Sequence, residues 1–462
     1  MAGLSDDKID IVRGLVAAAP DKVVSGLQNA LATAGGDTAL AGVRRLVEAE
    51  IGERILRNKV LEPVAPLFRS MAVPSDTLVF APAAFPLLWR GLRAVASDEA
   101  EHAALILHGY EPGVTSAEPF DLLTDRLADE IDAKGQPDIV AALKILDEAR
   151  PGASASLRTC LSIAPIVRRA TMKLPDWIVR TTQERATAAR IAYRDACRGG
   201  EDRGPLFFEM LAGQLAEPWT ILRIVSAVMD KPAESYMAGS ELASFAVRLM
   251  DAVDLGVKAL AGFDLQDGEA AAVEAARAVE VLTLQISELE SNIELARDGV
   301  WGARIQKQKQ VFATTVERRV RELPKLINAA LPSQRVRTAR AMVSEPRLDA
   351  RPDPQQVEAC RSLLAFIEGV RASANHGGFA SARSQVIEKA AEALDEYVEE
   401  VLDAVRDGAA PHNDIAEHLL EAAAEFIGRL REPRAGDIVR RRAAAAFAVV
   451  APRRRGGSFL AG

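Results

Sequence analysis

An all-helical protein, all-α in class, is what this sequence predicts, and three observations predict it. The apolar fraction is 49% while aromatics supply only 5%; alanine makes up much of the difference and β-branched runs are scarce, a mixture that favours closely packed helices over sheets. Within residues 275–300, Ala275, Val279, Leu282, Ile286, Leu289, Ile293, Ala296 and Val300 alternate spacings of four and three, which puts them on one seam of a helix. Elsewhere, stretches of helical period are punctuated by glycine and proline. The architecture expected is an irregular multi-helix array with a long central amphipathic helix or helical hairpin.

That central stretch, 269–322, contains no proline. Glu288, Glu290, Asn292, Glu294 and Arg297 outline its polar side, and a second seam resumes at Phe312, Val316, Val320 and Leu323. Asp298, Gly299 and Gly302 lie between the seams, where each glycine costs about 1 kcal/mol relative to alanine. One continuous helix would be roughly 80 Å long; a hairpin would pack its halves together. The spacing alone leaves both open.

From the N terminus, Ser5 caps a first helix through Ala18, and Pro20 with Asp21 opens a second reaching Thr33. A third carries Val43, Leu46, Val47 and Ile51 on one side. Residues 63–86 are broken by five prolines around Phe68, Val79, Phe80 and Phe85, and core packing is the reading favoured for this segment because aromatics usually go inside. Helices follow at 97–109, 120–135 and 137–151, then longer ones at 153–172, 176–197, 205–229 and 240–260, with kinks at Pro165 and Pro218. Residues 344–354, SEPRLDARPDP, read as a linker. The expected domains are therefore an N-terminal array at 1–150, a central bundle at 151–343, a C-terminal bundle at 355–432 and an arginine-rich tail at 433–462.

A net charge of −8 over 462 residues argues against a surface that is basic throughout, though not against a local basic arm. Cys160, Cys197 and Cys360 show no CxxC spacing, which indicates a reducing, cytoplasmic location and no disulfide framework. Asp6, Asp7, Asp10 and Pro20 occupy the place of a signal peptide. The most apolar window, 77–89, is too short to span a bilayer and contains two prolines. No transmembrane segment is expected, and a peripheral place at the inner face of a membrane stays compatible.

Motifs for chemistry are sparse. HExxH, GxSxG and a phosphate-binding loop are all missing from the sequence. Glu99 and His102 have the i, i+3 spacing found in di-iron or di-manganese bundles, but a second such pair is lacking, so a cap or surface role is favoured. No cofactor is expected. Asp414 with His418 suits an ordinary helical pair better than a zinc site or dyad. Cys197, between Arg194 and Arg198, has neighbours that would lower its pKa if it is exposed.

The sharpest feature is the tail. Arg440, Arg441 and Arg442 precede an apolar run containing Phe447, and Arg453, Arg454 and Arg455 follow it. Such a segment suits a protein partner, an anionic membrane or nucleic-acid phosphates. The reading taken is a non-enzymatic helical scaffold or adaptor acting by protein–protein association with another protein or with itself. The alternatives are a helical-bundle metalloenzyme near Glu99 and His102, and a nucleic-acid-binding regulator acting through the tail.

Overall fold

The structure, a computed structural model, describes residues 6–33, 40–70, 77–179, 182–200, 202–229, 231–337 and 342–450. The chain divides into two compact units: residues 1–232 with 239–245, and residues 233–238 with 246–462. It is almost entirely helical, as the composition and periodicity indicate.

The first unit contains α1 (Asp6–Ala18), α2 (Asp21–Thr33), α3 (Ala41–Val60), α4 (Ala84–Val95), α5 (Ser97–His108), α6 (Glu118–Ala133) and α7 (Pro137–Ala149). These are followed by α8 (Ala153–Thr171), α9 (Leu174–Val179), α10 (Gln183–Cys197), α11 (Arg203–Gly213) and α12 (Leu222–Val228). Helix α8 packs against α6, α7, α10 and α11, and its Leu157, Cys160, Leu161, Ile163, Ala164 and Val167 are fully buried. Pro165 lies within it without ending it. The aromatic segment leading into α4 goes inside in part: Phe80 is buried, Phe68, Val79 and Phe85 are half-buried, and the Phe68 ring packs at a tilt on both Phe80 and Phe85.

Two arginines lock this unit. Arg54 donates to the carbonyls of Val16, Ala17 and Ala19 at 3.0, 3.2 and 2.8 Å, satisfying the open C-terminal end of α1, and also pairs with Glu50 and Asp21. Arg168 on α8 is only 2% exposed. It donates to Lys59 O and Val60 O at 2.7 Å each and to Asp121 Oδ1 at 2.8 Å, so one guanidinium joins α3, α6 and α8.

The second unit contains α13 (Glu234–Met237), most of α14 (Ala243–Ala261), α15 (Glu269–Asn292), α16 (Val300–Val320) and α17 (Leu323–Ala330). An antiparallel hairpin of β1 (Ser333–Arg337) and β2 (Met342–Pro346) then leads to α18 (Pro354–Gly369), α19 (Ala380–Arg406), α20 (Asn413–Leu430) and α21 (Pro433–Val450). The long bent helix is α16 continued by α17; it bends at Arg321 and Glu322, just ahead of Pro324, whose ring disfavours helical geometry in the preceding residue. Helix α15 is separate. Its seam from Ala275 to Ile293 is buried, chiefly against α18, whereas Ala296 is exposed and Val300 is 81% exposed because the helix has already ended at Asn292. Glu288, expected on the polar side, is buried, and Asn292 donates to it.

The break between α15 and α16 has a specific cause. Glu234 projects its carboxylate into the open N-terminus of α16, accepting from Trp301 N at 2.7 Å, Gly302 N at 3.1 Å and Ala296 N at 3.2 Å. A helix start exposes unpaired N–H groups and partial positive charge, and a carboxylate satisfies both. Gly299 is required because a Cβ there would strike the Glu234 carboxylate, and Gly302 because its Cβ would strike the Ala296 carbonyl. The two glycines thus serve a cap delivered from α13.

Helices α14 and α16 run parallel, since Asp251 and Asp254 meet Arg304, Asp254 meets Gln308, and Phe263 meets Arg319. Burial alone would raise the pKa of Asp254, but hydrogen bonds from Arg304 and Gln308 outweigh it and hold the carboxyl below its ordinary range. A lowered folded-state pKa stabilises above the unfolded value and loses that contribution as pH falls through the folded one. Acidification below about pH 4 is therefore expected to loosen this helix pair, by under about 1 kcal/mol because Asp254 is half exposed. Asp254→Asn should flatten the change; denaturation midpoints at neutral and acid pH measure it, and an equal acid loss in the variant would contradict the assignment.

Among the described residues no helix is long and apolar enough to cross a membrane, and no group of three or more His, Cys, Asp or Glu side chains could hold a metal ion.

Candidate functional site

Glu99 and His102 stand on the exposed side of α5, where Asp98 and Glu99 occupy the first turn and favour the positive end of the helix dipole. Asp414 pairs instead with Arg351 at 2.9 Å, which lowers its pKa, and His418 meets the Asp414 main-chain oxygen rather than its carboxylate.

Two of the cysteines are buried, and burial pushes the Cys360 thiol up to about 12 and the Cys160 thiol higher still. Cys197 is partly exposed, yet its pKa is also raised. Desolvation leads and the nearby Glu241 adds to it, outweighing a hydrogen bond with Tyr193. The Tyr193 hydroxyl donates to Glu241 at 2.5 Å, and burial with this bond raises its pKa strongly. The flanking arginines do not activate this thiol, because desolvation, with Glu241 adding to it, decides the direction of the shift.

The candidate interaction residues of the tail fall into two groups. Arg453, Arg454 and Arg455 lie outside the described residues. Arg440, Arg441, Arg442 and Phe447 lie on α21, which packs on both α19 and α20.

Local sequence explains the packing. Only two residues separate α20 from α21, and Val439, Ala443 and Ala446 form the narrow buried stripe of α21 at i, i+4 and i+7. Small residues allow close approach. A Cβ at Gly436 would strike the Ala424 carbonyl and would lie 3.4 Å from the Gly428 Cα, so the crossing of the two helices depends on glycine at 436.

Two of the arginines of α21, Arg440 and Arg442, and Arg431 just before it pair with acids far away in sequence. Arg440 forms a forked pair with Glu421 at 2.8 and 2.9 Å and a further bond to Asp437, which raises its pKa. Arg442 meets Glu399 at 2.5 Å, and Arg431 meets Asp395 at 2.6 Å. Arg441 donates to the Asp437 carbonyl. Glu432 and Asp437 are the only acids close to these charges in sequence; the remaining partners come from α19 and α20.

Between α20 and α21 runs a groove of about 400 Å³. Leu420, Ala443, Ala444 and half-buried Phe447 give it apolar walls, while Glu417, Glu421 and Arg440 set a rim of mixed charge. Such a groove can accept an apolar side chain and offer its rim polar partners. No protein-family model, no curated protein and no solved structure matches this chain, so the groove is read from its own residues.

Proposed function

We propose that this protein is a non-enzymatic helical scaffold or adaptor that associates with another protein through the groove between α20 and α21. The supporting observation is the neutralisation of Arg440 and Arg442 by Glu421 and Glu399 beside an apolar wall containing Phe447. A phosphate backbone or an anionic lipid surface draws on unpaired cations. Here glutamates already occupy Arg440 and Arg442, and Glu417 and Glu421 line the rim, an arrangement suited to a protein surface with an apolar anchor. In this reading Arg453, Arg454 and Arg455 steer the encounter electrostatically, and the free thiols suit a cytoplasmic setting.

Phe447→Ala and Ala444→Arg test the groove, the first by removing its wall and the second by filling it. With the tagged full chain as bait, proteins captured by the native protein and identified by mass spectrometry should fall at least about tenfold in both variants, which corresponds to about 1.4 kcal/mol. Circular dichroism should stay unchanged. Undiminished capture, or capture of nucleic acid alone, would overturn the reading.

A further inference from the structure

A second surface of the same unit lies between α14 and α16. The two parallel helices face each other along Asp254, Val257, Lys258 and Ala261 on one side and Arg304, Lys307, Gln308 and Val311 on the other, leaving a groove of about 550 Å³. It continues past Ala261 and Val311 into a stretch of about 370 Å³ that ends near Arg318.

Its charge differs from that of the α20–α21 groove. Lys258, Lys307 and Arg318 are exposed and make no ion pair or hydrogen bond among the described residues. The floor is aliphatic, from Val257, Ala261 and Val311. Gln308 is buried; its amide nitrogen donates to Met250 O at 2.8 Å and Asp254 Oδ1 at 2.6 Å, which fixes its orientation and leaves Oε1 without a partner.

We infer that this groove docks an acidic amphipathic helix of a partner protein, whose apolar stripe covers the floor and whose carboxylates meet Lys258, Lys307 and Arg318. Along α16, Lys307 and Arg318 stand about 16 Å apart at 1.5 Å per residue. A single-headed amphiphile would satisfy only one end of that span. A single-stranded nucleic acid would meet aliphatic side chains where its bases stack on aromatic platforms, and a duplex backbone would leave the aliphatic floor uncovered. An acidic helix uses both the floor and the separated cations, in the familiar helix-in-groove mode. The inference goes beyond the function proposed above, because a second surface of different charge lets one chain hold two partners.

The probe is a fluorescein-labelled peptide of about 18 residues, long enough to line both stretches, with leucines at heptad spacing and glutamates flanking them. Titrated with the full-length protein, its anisotropy should saturate, and binding should weaken as salt rises. Affinity should fall at least about tenfold in the double variant Lys258→Glu, Lys307→Glu and again in Ala261→Trp, which fills the floor. Phe447→Ala should leave it unchanged, which separates this surface from the other. No saturable binding, equal binding of a peptide with lysine in place of glutamate, or indifference to both groove variants would overturn the proposal. Displacement of the peptide by oleate at equal affinity would assign the groove to a small amphiphile and overturn it as well.

Discussion

Replacing Glu234 with alanine should cost the second unit about 3 kcal/mol, because two N–H groups in the first turn of α16 and that of Ala296 in the loop before it lose the carboxylate they share. Water restores part of the loss, but Trp301 and Gly302 are buried, so replacement is incomplete. Glu234→Gln should cost roughly half as much, since one amide oxygen still accepts while the NH2 faces donors. Gly302→Ala should be at least as damaging as the alanine at 234: its Cβ meets the Ala296 main-chain oxygen, which cannot swing away as a side chain can. Hydrogen exchange read on the peptide covering residues 296–305 is the direct measure. Unchanged protection in Glu234→Ala would show that the carboxylate does not hold the helix start.

Arg168→Ala should be costlier still, at about 3–5 kcal/mol for the first unit. The substitution leaves the Asp121 carboxylate with only the longer Arg169 pair at 3.7 Å and removes the donor from the Lys59 and Val60 carbonyls, all packed where α3, α6 and α8 meet. Arg168→Lys should recover little, because a single ammonium cannot reproduce a planar fork reaching three acceptors. Urea unfolding followed by tryptophan emission reports it, with Trp89, Trp177 and Trp219 in the first unit and Trp301 in the second. A loss below about 1 kcal/mol would mean that solvent satisfies these groups. A surface pair such as Arg13–Asp10, exposed on both sides, should contribute under about 1 kcal/mol.

How much was legible in the sequence follows from the range of each signal. Helix starts written in adjacent residues were readable: α2 begins at Asp21 after Pro20 and α8 at Ala153 after Gly152, as expected. Residues 176–197 were read as one helix but form α9 and α10, divided where the Thr182 side chain accepts from Arg185 N at 3.3 Å. That cap was present in the sequence and was outweighed by helical periodicity. Residues 205–229 likewise divide into α11 and α12 around a short 3-10 turn at Pro218. The hairpin of β1 and β2 carries only a short alternation, RVR and MVS, too weak to register against the helices around it.

The candidate surfaces were legible only in part. The residues of α21 stand out as a basic and apolar run, but their ion-pair partners do not. The α14–α16 groove was missed, because Lys307 and Arg318 look like an ordinary solvated helix face until Val257 and Ala261 are placed across from them.

By itself, the sequence determined that this chain is helical, which side of α15 from Ala275 to Ile293 is covered, and where helices such as α2, α7 and α8 begin. Those properties depend on residues within a turn or two of each other, and periodicity records them. Only the tertiary structure decided that α15 and α16 are separate helices, that Glu234 caps a helix 67 positions away, and which arginines are neutralised. These depend on charges and hydrogen-bonding groups brought together from distant parts of the chain, and such pairings leave no periodic trace.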